Sequence, residues 1–495
     1  MSRFTTAFAF TVLLAVGAAS CAGTPPSQVP GQSGAPDRVS AGEFAFAQEL
    51  ARRTFDYFWE TTDPGNCLAP DRWPSAPFSS IAATGFALTA YAIGAERGYV
   101  PREEAAARTR RCLEVYLAAP QGPEAESVTG YRGFFYHFLK LSDGTRHQTT
   151  ELSSVDTSLL FAGVLFAQSY YDRDEPVERA IREAADALYR RADWTFFLRG
   201  PDDPPAANLP ASKGLAMGWK PERGFESHDW VGYNEGMLIY VLALGSPTHP
   251  VSRAAWDAGW AARLEQDWGE YYGYEHLAFE PLFGHQYSHI WIDFRGIRDT
   301  FMRGKGIDYF ENSRRATLAQ YAYSQDNPAG WAGYGGDIWG LTACDGPGHA
   351  TGYSVGGEPR EFWGYSARGA SPIRVRDDGT VAPTAAGGSI PFAPEIALPA
   401  LQAMKDRYGT HLYTEYGFKD AFNPSFTFTD FDSKSGQVVA GVGWFARDHL
   451  GIDQGPILAM LENHRSELIW RTMRKNPYIR AGLEAIGFSG GWLEE

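Results

Sequence analysis

Two kinds of helix-forming segment alternate along this chain, and that alternation restricts its fold more than any other feature. Residues 81–96 (IAATGFALTAYAIGAE) are apolar almost all round, whereas the segment opened by Pro101 (REEAAARTRRCLEVYL) is strongly charged on one face. Residues 153–171 (SSVDTSLLFAGVLFAQSYY) are again apolar all round. The segment after Pro176 (VERAIREAADALYRRA) is again amphipathic, with Val177, Ile181, Ala184 and Leu188 on one stripe. The pairing recurs in the apolar residues 232–244 (GYNEGMLIYVLAL) and the charged, amphipathic residues 252–272. A helix apolar on every side must be enclosed, while one with a single apolar stripe covers a core and faces water. The alternation therefore predicts two concentric rings. With further helical segments near residues 309–324, 394–408 and 455–475, the expected fold is all-α, an (α/α)6 barrel of about twelve helices. A multi-domain helical bundle is the alternative. A first amphipathic helix is expected after the capping box Ser40-Ala41-Gly42-Glu43, burying Phe46, Leu50, Phe55 and Phe58. The hairpin-like FFYHFLKLSDGTRHQ, turning at Asp143-Gly144, and the Gly/Pro-rich residues 329–390 read as loops or small strands at one mouth.

The N-terminus stands apart from this pattern. Residues 1–20 carry Arg3 and then an uncharged apolar stretch, the form of a secretory signal. Gly17-Ala18-Ala19-Ser20-Cys21 resembles a bacterial lipoprotein cleavage box, with Ala18 where Leu is usual, and makes Cys21 the candidate lipidation site. Residues 21–42 are rich in Pro, Gly, Ser and Gln and cannot bury a core, so they are expected to be a flexible tether. One domain is expected over residues 43–495. The protein would then be exported, to the periplasm or to the outer membrane as a lipoprotein, meeting a membrane only through a lipid on Cys21. With 44 basic against 59 acidic residues the chain is anionic, which argues against nucleic acid or anionic lipid as a partner and for a neutral or cationic substrate. Many of its 15 Trp, 25 Tyr and 31 Phe lie in Gly-rich loops, as in clefts where a pyranose face stacks on a ring. After Cys21 only Cys67, Cys112 and Cys344 remain, with no CxxC or Cys/His metal spacing; at most one disulfide is expected, between Cys67 and Cys112.

In a double ring, polar residues at the heads of inner helices line the mouth, and three carboxylates stand there. Asp156 lies in TELSSVD, Glu235 in WVGYNE, and Asp453 in GIDQGP, just before a helix whose first turn would accept Pro456. Asp156 and Asp453 can equally be helix caps. Glu235 is harder to explain so, because Met237-Leu238-Ile239-Tyr240 follows at once. Desolvation beside Trp230 and Tyr233 would raise its pKa and suit a general acid, against the opposing pull of a helix N-terminus. Glycoside hydrolysis needs one such acid and one carboxylate that activates water or attacks directly, and Glu235 and Asp453 could divide these roles.

A second cluster, FGHQYSHIWIDFR, gathers His285, Gln286, Tyr287, His289, Asp293 and Arg295 among aromatic residues. His285 and His289 would share a helical face, but no HExxH occurs, and Gln, Tyr and Arg interleaved with rings suit sugar hydroxyls better than zinc. A buried salt bridge between Asp293 and Arg295 or Arg298 is the plain structural alternative. The loop WAGYGGDIWGLTACD offers Trp331, Tyr334, Asp337 and Trp339 for stacking and hydrogen bonding. Nucleotide-binding signatures are missing: there is no GxGxxG or GxxxxGK[ST].

The motifs SSVDTSLL, GYNEGMLIYVLALGSPTHP, FGHQYSHIWIDFRGIRD, DIWGLTACDGP, DDGTVAPTAAGGSIPFAPE, YGFKDAFNP and GIDQGPILAMLENHRSELIW together resemble the glycoamylase-like family of exported bacterial proteins. That family includes the endo-β-1,2-glucanases of glycoside hydrolase family 144 and a domain of cyclic β-1,2-glucan synthases. The resemblance implies an (α/α)6 barrel, an acidic central pocket, and hydrolysis of a β-linked glucan, above all β-1,2-glucan, without metal or organic cofactor; a monomer is expected. By matching motif it implies Glu235 as general acid and Asp453 as general base of an inverting mechanism, with Glu151 and Asp156 contacting sugar. The long proline-rich loop 200–224 leaves endo and exo action open. The alternatives are a glycosidase or transglycosylase on another glycan, including an α-glucan, and a non-catalytic glycan-binding lipoprotein.

Overall fold

The computed structural model describes residues 41–209 and 213–495; the expected signal segment, Cys21 and the tether up to residue 40 lie outside them. Helix α1 (Ala41–Thr61) buries Phe46, Leu50, Phe55 and Phe58. Helix α2 (Ile81–Glu96) starts on Ser80, whose hydroxyl accepts the Ala83 amide, and every residue from Ile81 to Gly94 is buried. Helix α3 (Arg102–Ala118) buries one face only, through Ala105, Ala106, Thr109, Cys112, Leu113 and Tyr116. The sequence pattern repeats as burial: α4 (Ser154–Tyr170) is enclosed along most of its length, and α5 (Pro176–Arg191) buries the stripe of Ile181, Ala184, Ala185, Leu188 and Tyr189.

Helix α6 (Met237–Gly245) is buried at all nine positions. The short helix α7 (Tyr287–Trp291), then α8 (Tyr309–Asp326), α9 (Pro394–Tyr408), α10 (Gly451–Ser466) and α11 (Pro477–Ile486) complete the set that frames the site. Helices α2 and α4 meet backbone to backbone, and glycine makes this contact feasible. A Cβ on Gly85 would stand 2.3 Å from the Leu159 carbonyl oxygen, and one on Gly163 would stand 2.1 Å from that of Gly85. The result is a largely helical body with short antiparallel ladders. Arg72–Trp73 pairs with His449–Leu450, and Leu152–Ser153 pairs with Gly218–Lys220. The Gly/Pro-rich stretch carries the hairpin of Ala350–Val355 and Glu358–Phe362, as small strands were expected there.

Two expectations need correction. Residues 252–272 are not one amphipathic helix: a helix over Arg253–Ala258 stops at Gly259, two single turns follow, and Trp268–Tyr271 pairs with Tyr274–Leu277 as a hairpin turning at Tyr272-Gly273. The aromatic, glycine-containing run WGEYYGY favours a strand pair over a helix. The helix after Asp453 begins earlier than expected, at Gly451, and ends at Glu467, whose φ of 56° breaks it from Leu468–Met473. Cys67 and Cys112 form a disulfide that ties the segment after α1 to α3, and Cys344 is free and buried.

Candidate active site

The heads of α4, α6 and α10 bring the acidic residues together. On α4, Ser153 is the cap: its hydroxyl accepts the Asp156 amide at 3.1 Å and donates to Asp156 Oδ2 at 2.5 Å. Asp156 is therefore a first-turn residue, not the cap. Its Oδ1 lies 3.4 Å from His137 Nε2, while His137 Nδ1 lies 2.8 Å from Glu151 Oε1. Burial works against a charged imidazole, but the Asp156 and Glu151 carboxylates, with Asp71 behind them, lift His137 to about 9. Burial likewise pushes Glu151 up, and His137 overrides it and holds the carboxyl at about 2. For Asp156 burial dominates and the pKa is raised despite His137. These three residues are also the group among the described residues that could hold a metal, with ligand atoms within 4.8 Å of one another. A cation there would have to replace the imidazolium proton, so the ion-paired form accounts for the cluster as it stands.

Glu235 precedes α6, which begins only at Met237, and Trp230, five residues before it, donates its indole N–H to Ser154 Oγ at 2.9 Å. The carboxyl is half-buried, yet Oε2 is wholly enclosed and has no hydrogen-bond partner among the described residues. Burial raises Glu235 to about 7, its own backbone amide opposes this, and the charge of Asp156 adds to it. The group is thus poised to be protonated near neutral pH.

Asp453 sits in the first turn of α10 and is 4% exposed, with Oδ2 enclosed and without a hydrogen-bond donor. Around it stand residues that sequence reasoning did not single out. Arg72 pairs with Asp71 at 3.0 Å and Asp345 at 2.8 Å, the Asp345 amide donates to Asp420 Oδ2 at 2.8 Å, and Asp448 accepts the Ser75 amide at 2.9 Å. Burial raises Asp453 far above the usual carboxylate range, and the charge of Asp420 adds to it; burial and the charge of Asp345 bring Asp420 to about 7. Tyr365, 49% exposed, feels the charges of Asp420, Asp453, Asp71 and Asp345. Tyr287 links the two halves: its hydroxyl is within electrostatic reach of Asp453, Glu235 and Asp156 and donates to the Ile452 carbonyl at 3.1 Å. Cavities of about 510 Å³ beside Trp256 and Lys305, and of about 280 Å³ beside Tyr116 and Leu139, share no residue with this centre. Chemistry marks the site better than cavity size does.

Of the expected sugar contacts, Glu151, Asp156, Trp230 and Tyr287 lie at this centre. The others are engaged mainly by neighbouring protein groups or, for Asp337, lie on the surface. Tyr233 reaches Ser313 at 3.4 Å and stacks on Tyr309. His285 Nε2 lies 3.2 Å from the Phe279 carbonyl, Gln286 donates to Ala385 and Ser389, and His289 bonds Ser313 at 3.1 Å. Burial drives His285 well below its ordinary pKa and His289 to about 3, so both are neutral core groups. Asp293 and Arg295 lie beyond the far end of α7, where Arg295 bonds both Asp293 oxygens at 2.8 Å, the expected salt bridge, and Arg474 joins them. Trp331 packs under Arg360, Trp339 is fully buried, and Asp337 is exposed on the surface. The signal the sequence offered for Asp345 and Asp420 was only their place inside the motifs DIWGLTACDGP and YGFKDAFNP. His137, inside FFYHFLK, carried no such mark.

Comparison with known proteins agrees with this architecture. The family model Glycoamylase (putative glucoamylase) matches residues 227–477, just over half the chain. A crystal structure from Bacteroides uniformis bearing the same description superposes with a TM-score of 0.75 at 32% identity, covering 92% of this chain and all of that one. The chain belongs to the glycoamylase family. An endo-β-1,2-glucanase from Chitinophaga pinensis superposes at 0.74 with 26% identity, over 92% of this chain and 100% of that one. The exo β-1,2-glucooligosaccharide sophorohydrolase of Parabacteroides distasonis is 29% identical over 486 residues. That match takes in 90% of this chain and 59% of the longer relative.

Proposed function

We propose that this protein hydrolyses β-1,2-linked glucan, with Glu235 as general acid and Asp453 as general base. The observation that carries the reading is Glu235: an enclosed, unpartnered carboxyl oxygen on a group held near pH 7, in an acidic centre shared with Asp453. A general acid works best with its pKa near the working pH. Glu235 gives its proton to the glycosidic oxygen as the bond to the anomeric carbon breaks, while Asp453 takes a proton from the attacking water. The His137 imidazolium fixes Glu151 and Asp156 as acceptors for sugar hydroxyls. Family membership, and relatives named for β-1,2-glucan, support that linkage over starch. Enclosed helices alternating with one-faced ones support a closed (α/α)6 double ring, and the Cys67–Cys112 disulfide supports an exported protein in an oxidising compartment.

The test is to incubate purified protein with linear β-1,2-glucan, soluble starch and β-1,3-glucan and to follow oligosaccharide release and product length. Release from β-1,2-glucan is expected, and release from starch alone would overturn the substrate. Glu235→Gln and Asp453→Asn should each lower kcat by about 10²–10⁴. Full turnover in both would overturn the residue assignment.

A further inference from the structure

We propose that Tyr365 and Arg72 form a sugar-binding subsite on the Asp453 side of the acid centre, where a glucosyl unit stacks on the tyrosine ring and one of its hydroxyls accepts a guanidinium N–H. The subsite rests on the reading of this centre as the place where glucan is cleaved. Of the Phe, Tyr and Trp side chains among the described residues, only Tyr365 is exposed, at 49%. Its ring meets no other aromatic ring, and its hydroxyl has no hydrogen-bond partner among the described residues. A single exposed ring is ordinary on a protein surface. What sets Tyr365 apart is how firmly its backbone is held and what lies opposite it. Arg368 and Asp378, both fully buried, pair at 2.7 Å. The Arg368 guanidinium donates to the carbonyls of Trp363 and Gly364 at 3.1 Å and of Cys344 at 2.8 Å, and Asp378 accepts the Trp363 amide at 3.0 Å. On the other side of Tyr365, Ser366 pairs with Cys344 and Ala367 with Ala343 in an antiparallel ladder. The chain is thus anchored before and after a side chain that faces solvent, which spares a binding ring the entropy of being ordered by its ligand.

The same ladder fixes the neighbour. Continued by one residue it sets Tyr365 opposite Asp345, and residues directly opposite in such a pair share a face. Asp345 Oδ2 accepts Arg72 Nη1 at 2.8 Å, and Arg72 Nε donates to Asp71 at 3.0 Å. Arg72 in turn pairs with Leu450, and the Asp71 carbonyl accepts the Gly451 amide at 2.8 Å, two residues before Asp453. Backbone pairing therefore brings both residues to the head of α10, and the charges of Asp453 and Asp345 reach the Tyr365 hydroxyl accordingly. With Nε and Nη1 engaged, Arg72 Nη2 has no partner among the described residues, on a side chain that is 22% exposed. A pyranose complements this pair, since its C–H face suits the ring and its hydroxyl oxygens suit an N–H donor. An anion would be repelled by Asp71, Asp345 and Asp453, and an apolar ligand would leave the guanidinium edge unpaired.

The experiment separates binding from cleavage. Linear β-1,2-glucooligosaccharide is titrated calorimetrically into Glu235→Gln protein, alone and with Tyr365→Ala, Tyr365→Phe or Arg72→Lys added. Tyr365→Ala should weaken binding by about 10-fold or more, and Tyr365→Phe, which keeps the ring, should stay within about 3-fold of its parent. Arg72→Lys keeps a positive charge between Asp71 and Asp345 but loses the second edge of the fork, and should weaken binding by about 10-fold. In protein with Glu235 intact, Tyr365→Ala should raise KM with kcat little changed, the signature of lost ground-state binding. Its Tm should match that of its parent. Parent-like affinity in either Tyr365→Ala or Arg72→Lys would overturn the subsite, and so would a fall in Tm accompanying the lost affinity of Tyr365→Ala, because the ring would then be holding the fold. Should wild type cleave starch and leave β-1,2-glucan intact, the linkage reading fails by itself. The same titrations with maltooligosaccharide then decide the subsite: affinity lost in Tyr365→Ala retains it, and affinity kept overturns it.

Discussion

Glu235 and Glu151 are the same residue type in the same acidic centre, yet their environments push them in opposite directions. Burial governs Glu235, and it rises to about 7; His137 governs Glu151, and it falls to about 2. Separating two carboxyls in this way is how one site holds an acid and an anion at the same pH. If Glu235 must be protonated to act, kcat/KM should fall as pH rises through about 7, the value at which it loses its proton. A pH-rate profile measured on the free enzyme at low substrate checks this. An alkaline limb well above that value would show that another group supplies the proton. The apolar run after Glu235 was enough to suggest a raised pKa. The histidine that keeps Glu151 ionised comes from a loop some distance earlier in the chain, and only folding brings it there.

At the scale of the element, helix α10 shows how a backbone defect serves the site. Pro456 has no N–H, so the Ile452 carbonyl four residues back loses its helical partner, and the Tyr287 hydroxyl takes it at 3.1 Å. The sequence placed Pro456 in a first turn, but the helix starts at Gly451, because Leu450 leaves its ladder with Arg72–Trp73 only at that point. Asp453 thereby lies inside the helix instead of ahead of it. The α2–α4 contact offers the sharper test. Gly85→Ala places a methyl 2.3 Å from the Leu159 carbonyl oxygen, a contact that backbone must move to relieve. A cost of about 1–3 kcal/mol is expected, the usual size of overpacking. Chemical denaturation of wild type and variant measures it, and equal midpoints would mean that the two helices separate freely.

Across the whole molecule, enclosed and one-faced helices partition the core from the surface, and the disulfide adds a covalent tie between α1's exit and α3. Cys67 and Cys112 are 45 residues apart in sequence. Reducing the bond should lower stability by about 2–4 kcal/mol, seen as a lower Tm with reductant than without. An unchanged Tm would show that packing alone holds the loop. The helix alternation, the enclosed carboxyl at Glu235 and the single disulfide were legible in the sequence, because periodicity, an acid inside an apolar run and cysteine number are local quantities. The cluster around His285 shows the opposite case. His285, Gln286, His289, Asp293 and Arg295 read as a sugar site by composition, yet α7 and its flanks spend them on neighbouring carbonyls, hydroxyls and charges. Whether a polar side chain faces a cleft or a core depends on which distant backbone lies against it. For the same reason Arg72, Asp345 and Asp420 emerge around Asp453 only in the tertiary structure: they come from three separate segments, and no spacing along the chain encodes their meeting.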